Sequence, residues 1–98
     1  MLHVENLTSP RSGREVPNQF RITGEGKTVF QSYASTIVTI DGNQRAIYIH
    51  EDWDYSVTTG KYRNQFFGEE GFSGLASKAG LQNAIKEGKY NGYAVVLA

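Results

Sequence analysis

The sequence contains no cysteine. That removes disulfide bridges, thiolate nucleophiles and cysteine-ligated zinc together, and it fits a reducing compartment. Proline is scarce, with two residues against 11 glycines, a balance that suits strands, tight turns and short helices rather than a long helical bundle. Neither sign of charge predominates: ten Lys and Arg face ten Asp and Glu, for a formal net charge of zero. A strong sequence-independent hold on nucleic acid or on an anionic membrane needs a positive field that the whole chain lacks, and an acidic imitation of DNA is equally unsupported. Long hydrophobic runs are missing too. Ala94 to Ala98 is far too short to span a bilayer, and Met1 to Asn6 has no basic start leading into an apolar stretch, so no secretory signal is read there. These absences predict a soluble, intracellular protein.

What remains is 98 residues, 12% of them aromatic, enough for one domain and one modest core that buries roughly 60–68% of the unfolded surface. The first 17 residues read as a polar N-terminal loop segment, punctuated by Ser9-Pro10-Arg11-Ser12-Gly13-Arg14. From Asn18, Phe20 and Ile22 alternate with Gln19, Arg21 and Thr23 in the period-2 pattern of a half-buried strand. Gly24-Glu25-Gly26 reads as a hairpin turn, Thr28 to Tyr33 as the returning strand, and Ser35 to Ile40 as a β-branched third strand. Asp41-Gly42 then promises the positive φ of a second hairpin, completed by Arg45 to His50.

Beyond this four-stranded antiparallel meander a helix is expected, capped by Ser56 or Thr58, with Tyr62 and Phe66 one turn apart on the same face and Gly68 at its end. Residues 68–80 hold four glycines and read as a loop or frayed turn. Leu81 to Glu87 suggests a second short helix ended by Gly88, and Tyr93 to Leu97 a closing apolar strand. The fold class is therefore α+β: a small antiparallel sheet of about four to five strands packed with two short helices. An exposed edge on Tyr93 to Leu97 is compatible with a homodimer.

Chemistry is thin. His3 and His50 are the only imidazole bases, and neither stands in a catalytic signature. His50, Glu51, Asp52 and Asp54 form the densest group of metal-capable side chains, but without the loop glycine and spacing of a calcium hand. The plain reading is a solvated strand-to-helix turn, so no catalytic residue, no metal ligand and no cofactor is assigned. Recognition groups are better represented. Arg11, Ser12 and Arg14 supply guanidinium forks and a hydroxyl suited to phosphate or carboxylate, outside any P-loop spacing. Lys61, Arg63 and Gln65 read as an exposed polar edge, and Trp53 as a packing anchor before it is a ligand clamp. The aromatics on the strands are expected to fill the core rather than to stack on bases.

Three blocks, Leu7-Thr8-Ser9-Pro10-Arg11-Ser12-Gly13-Arg14 through Phe20, Phe30-Gln31-Ser32-Tyr33, and Trp53-Asp54-Tyr55-Ser56 through Phe66, agree in order and spacing with a family of small bacteriophage and prophage proteins. The chain resembles that family over residues 7–67 and again at Ile85 to Tyr90, whereas Gly68 to Gly80 departs from the pattern and reads as an insertion. The resemblance carries no catalytic residues. It implies a viral accessory protein in the cytoplasm of an infected bacterial host, occupying a host protein or sequestering a host signal, for example as an inhibitor of bacterial defence. The expected binding patch combines Arg11, Ser12, Arg14, Trp53, Tyr55, Lys61 and Arg63, since Arg, Trp and Tyr are the usual hot-spot residues. The alternative is a nucleic-acid or nucleotide binder working through the Arg11 and Arg14 loop, and a metal-assisted hydrolase at His50, Glu51, Asp52 and Asp54 ranks third.

Overall fold

A computed structural model describes residues 1–98. It is α+β, with seven strands in one sheet: β1 (His3–Thr8), β2 (Glu15–Gly24), β3 (Lys27–Ser32), β4 (Ser35–Asp41), β5 (Ala46–Ile49), β6 (Lys89–Tyr90) and β7 (Tyr93–Leu97). Two helices, α1 (Val57–Glu69) and α2 (Lys78–Glu87), separated by a 3-10 turn at Ser73–Leu75, connect β5 to the last pair of strands. The meander from β2 to β5 is as the alternation predicts. The sheet is larger than expected because the N-terminal segment is not all loop: His3–Thr8 pairs with β2 and adds a fifth antiparallel strand. It is also not purely antiparallel, since β7 lies parallel to β5. A parallel neighbour cannot be reached by a tight turn, and the helices supply the crossover. No helix is long and apolar enough to cross a membrane.

The turns follow from backbone chemistry, though not always at the residues expected. Glu25 and Gly26 both have positive φ (55° and 78°) between the paired Gly24 and Lys27, the two-residue loop whose twist matches the flanking strands. At the β4–β5 hairpin the left-handed residue is Arg45 (φ 51°), and Gly42 is not left-handed. Asp41 instead shapes that turn through its side chain, with Oδ1 accepting from the Asn43 and Gln44 amides at 3.0 and 3.1 Å.

One face of the sheet meets the helices, and the core lies between them. Phe30, Val38, Ile40, Ile47 and Ile49 are buried against Tyr62, Phe66, Phe67, Leu75 and Leu81. Phe66 stacks on Phe30 at 5.6 Å between ring centroids and meets Phe67 edge-on at 5.8 Å. Ser56 caps α1 by accepting from the Thr59 amide, and the helix runs one residue past Gly68 to Glu69. The cation Arg21 of β2 fastens its C-terminal end, at 2.6 Å from Glu69 and 2.9 Å from Glu70, with Glu5 at 3.6 Å. Burial works against that charge, but the Glu69 hydrogen bond and the three carboxylates outweigh it and hold the guanidinium protonated beyond its ordinary range.

The glycine-rich stretch is integral to the packing and is not a frayed loop. Leu75 is fully buried, Phe72 packs edge-on to Tyr93 at 5.2 Å, and the Gly74 amide donates to the Tyr90 hydroxyl at 3.0 Å. A side chain at Gly74 would run into the Tyr90 ring. Helix α2 starts at Lys78 behind the Ser77 cap, three residues before Leu81, and ends as predicted on left-handed Gly88 (φ 75°).

Candidate binding groove

The β1–β2 loop, the β3–β4 turn and the β5–α1 connection all leave the same end of the sheet, because the antiparallel order brings alternate connections to one side. This loop end gathers most of the residues singled out for recognition. Between the β3–β4 turn and the start of α1 it holds a groove of about 600 Å³. Ile37 and Ala34 give it an apolar lining, Ser32, Ser35, Ser56, Thr58 and Thr59 give it hydroxyls, and Asp52 is its single carboxylate. No lysine or arginine lines it.

Tyr33 and Tyr55 line the groove from different connections and are 55% and 77% exposed, and Val57, two residues beyond Tyr55 and outside the lining, is 91% exposed. Tyr33 was not among the expected binding residues. Its backbone is left-handed (φ 55°), an uncommon state for an aromatic residue. It is held at both ends: the Tyr33 amide donates to the Asn18 carbonyl at 2.6 Å, and Gln31 Nε2 donates to the Tyr33 carbonyl at 2.7 Å. Behind the groove, Ser32 Oγ meets Thr59 Oγ1 at 3.0 Å, tying β3 to the first turn of α1. Ser35 Oγ donates to Asp52 Oδ2 at 3.1 Å, tying β4 to the connection that carries Tyr55.

Arg11, Ser12 and Arg14 lie in the β1–β2 loop at the same end, all exposed. Neither guanidinium enters an ion pair, whereas the Ser12 hydroxyl is engaged locally, accepting from the Arg14 amide at 3.3 Å. The loop closes on itself through the Ser9 amide and the Arg14 carbonyl at 2.8 Å, with Gly13 supplying a left-handed turn (φ 71°). Gln65 of α1 donates to the Thr8 carbonyl at 2.7 Å, where the loop begins. Lys61, one turn earlier on the same face of α1, is exposed and rests its ammonium 5.2 Å from the Tyr62 ring.

Two expected binding residues belong elsewhere. Arg63 is not on an exposed edge. It is only 1% exposed, donates to the Trp53 carbonyl at 2.6 Å and to Asn64 Oδ1 at 3.0 Å, and lies 5.3 Å from the Trp53 ring. Burial lowers its pKa, and Asp54, 3.9 Å away, pulls partly back. Trp53 is half-buried and packs on the core, as the anchor reading anticipates. Together they fix the β5–α1 connection. The alternation of polar and apolar positions on a short helix cannot reveal such a residue, because a buried arginine and an exposed one look the same in sequence.

The acidic cluster does not converge. His50 Nε2 meets Thr39 Oγ1 at 3.0 Å, Asp52 meets Ser35, and Asp54 meets Lys78 at 2.8 Å. No group of three or more His, Asp or Glu side chains is placed to hold a metal ion, which removes the geometric basis of the hydrolase reading. Burial pushes the His50 imidazole below its ordinary value. The unfolded chain then binds the proton more readily than the folded one, so stability is complete above about pH 6.5 and declines as pH falls towards the folded value. His50→Gln should flatten that decline, which urea unfolding between pH 8 and pH 5 will read. An equally steep decline in the variant would assign it to other groups.

No curated protein and no solved structure matches the chain. A family model described as a family of unknown function (DUF8033) does match, over residues 3–83, from β1 through α1 into α2, and the chain belongs to that family.

Proposed function

We propose that this chain is a non-enzymatic binding protein that holds its target at the loop end of the sheet, on a surface that joins the Tyr33–Tyr55 groove to the Arg11–Arg14 loop. The observation that carries the reading is the pair of strongly exposed tyrosines, Tyr33 and Tyr55, that line one groove, with exposed Val57 two residues beyond Tyr55. Apolar surface gathered in this way on a small domain marks an interaction site, and tyrosine and arginine are the residues that most often dominate one. The geometry favours binding over chemistry. The groove lining contains hydroxyls and one carboxylate, Asp52, which already accepts from Ser35, and it holds no imidazole or amine. Resemblance of three sequence blocks to phage and prophage proteins supports a target in an infected bacterium, a host protein or host signal whose occupation would disable a defence.

The test is co-purification from a bacterial host with the intact chain, with Tyr33→Asn/Tyr55→Ala, and with Arg11→Ala/Arg14→Ala. Asparagine is chosen at 33 because it tolerates the left-handed backbone. A partner recovered with the native chain should be lost about tenfold or more with the tyrosine variant, since hot-spot truncations cost about 2 kcal/mol or more. Equal recovery by both variants would place the interface elsewhere. Exposed, unpaired Arg11 and Arg14 favour a second reading, nucleic-acid or nucleotide binding by that loop. It predicts affinity that falls steeply with salt, with a smaller slope in the arginine variant.

A further inference from the structure

We propose that the Tyr33–Tyr55 groove takes a small, uncharged, hydroxyl-bearing ring ligand, of the chemistry shared by saccharides and nucleosides. This rests on the loop end being the binding surface, and it names what that surface selects.

Charge comes first. Asp52 is the one ionised side chain in the lining, and it opposes a phosphate or carboxylate there, with no arginine or lysine to compensate. Of the two cations in the first turns of α1, Arg63 is turned inward onto Trp53 and Lys61 is exposed outside the groove lining. A cationic ligand would profit from Asp52 but would face the positive end of the α1 dipole, because Ser56, Thr58 and Thr59 place the first turn of the helix in the groove wall. The same dipole favours an anion that Asp52 repels, so for either sign the two fields offset each other, while a neutral ligand meets neither and has no charge to desolvate.

Hydrogen bonding comes second. A ring carrying several hydroxyl or N–H groups matches a lining of serine and threonine hydroxyls around one carboxylate whose second oxygen is unclaimed. Behind the floor there is further unmet demand. Gln19, 1% exposed, stands opposite Ser32 in the β2–β3 register, and neither atom of its amide has a partner. Buried polar groups in folded proteins are nearly always paired, so a polar seam with spare capacity lies next to Ser32, itself part of the groove lining.

The rings come third. Tyr33 and Tyr55 stand exposed at the groove, and Tyr33 is fixed through both its amide and its carbonyl. A tyrosine ring on a fixed backbone has only two side-chain torsions to order on binding, and it offers a platform to the C–H face of a sugar or the π face of a base. The 600 Å³ volume is within the range of small-ligand pockets.

The experiment is amide NMR titration of the full chain with maltotriose, cellotriose and chitotriose, and with adenosine, guanosine, cytidine and uridine. At least one should give saturable shifts confined to residues 32–35 and 52–59, and the arm that responds identifies the source as saccharide or nucleoside. Tyr55→Ala and Asp52→Asn should each weaken that binding by about tenfold, the loss of one good contact, while leaving the amide spectrum folded. The nucleoside monophosphates should bind more weakly than their parents. Absence of saturable shifts with every neutral ligand at millimolar concentration overturns the proposal, as does tighter binding of a monophosphate. If the neutral ligands fail while a protein partner still depends on Tyr33 and Tyr55, the ligand class is wrong and the binding surface stands.

Discussion

Phe66→Ala should lower the unfolding free energy by about 3–5 kcal/mol, the range for emptying a fully buried aromatic site. Phe66 is the point where sheet and helix meet: it stacks on Phe30, touches Phe67 edge-on, and lies 5.4 Å beneath the Arg21 guanidinium. Removing the ring leaves a void under α1 and takes away the aromatic face on which Arg21 rests before it reaches Glu69 and Glu70. A domain of this size has roughly 5–15 kcal/mol in total, so the variant should melt on the order of 15 °C or more below the native chain. Phe66→Leu should recover about half of the loss by refilling part of the volume. Urea unfolding followed by Trp53 fluorescence measures both. A loss under about 1 kcal/mol for alanine would mean that the Phe30–Phe66 contact is not the centre of the core.

Arg63→Ala should cost about 2–4 kcal/mol, through lost packing and through the stranded Trp53 carbonyl. The sign of the comparison with Arg63→Met is the informative part. A buried guanidinium bears a desolvation penalty, and here Nε has no acceptor while Asp54 is at the long distance of 3.9 Å. Methionine fills much of the space without a charge to desolvate, so its variant should be more stable than Arg63→Ala, losing about half as much. Arg63→Lys should behave worse than methionine, because a single ammonium cannot reproduce the planar fork on Trp53 and Asn64. If all three substitutions left stability unchanged, Arg63 would hold the β5–α1 connection without contributing to folding. Calorimetric melting temperatures give the ranking directly.

Much of the architecture is legible because local chemistry and global fold agree. The alternation along β3 to β5, the Glu25-Gly26 turn, the Ser56 cap and the Gly88 stop are each fixed within a few residues of chain. The face assignment of β2 is harder. Phe20 and Ile22 look like the buried side, yet Arg21, paired opposite Phe30, and Gln19, paired opposite Ser32, lie on the helix face. A period of two marks alternation without saying which side is covered, and the answer depends on where α1 crosses. The same limit hid Arg63, whose burial is satisfied by a carbonyl ten positions earlier in the chain. It also hid β1, where His3, Glu5 and Asn6 look like loop residues until β2 offers a ladder to pair with.

Composition and turn chemistry alone determined the class of the molecule: a cysteine-free α+β chain without net charge, whose buried core is drawn largely from phenylalanine and aliphatic residues. Those properties are sums or short-range steric preferences, so they are readable one residue at a time. Only the tertiary structure decided that the Arg11–Arg14 loop, Tyr33 and Tyr55 share one end of the sheet, that Arg63 is inside, and that the acidic side chains from Asp52 to Asp54 take separate partners. Each of these depends on contacts between residues distant in sequence or on the path of a connection over the sheet. Neither is encoded in spacing, and both follow once β7 is carried back beside β5 and α1 is laid across Phe30.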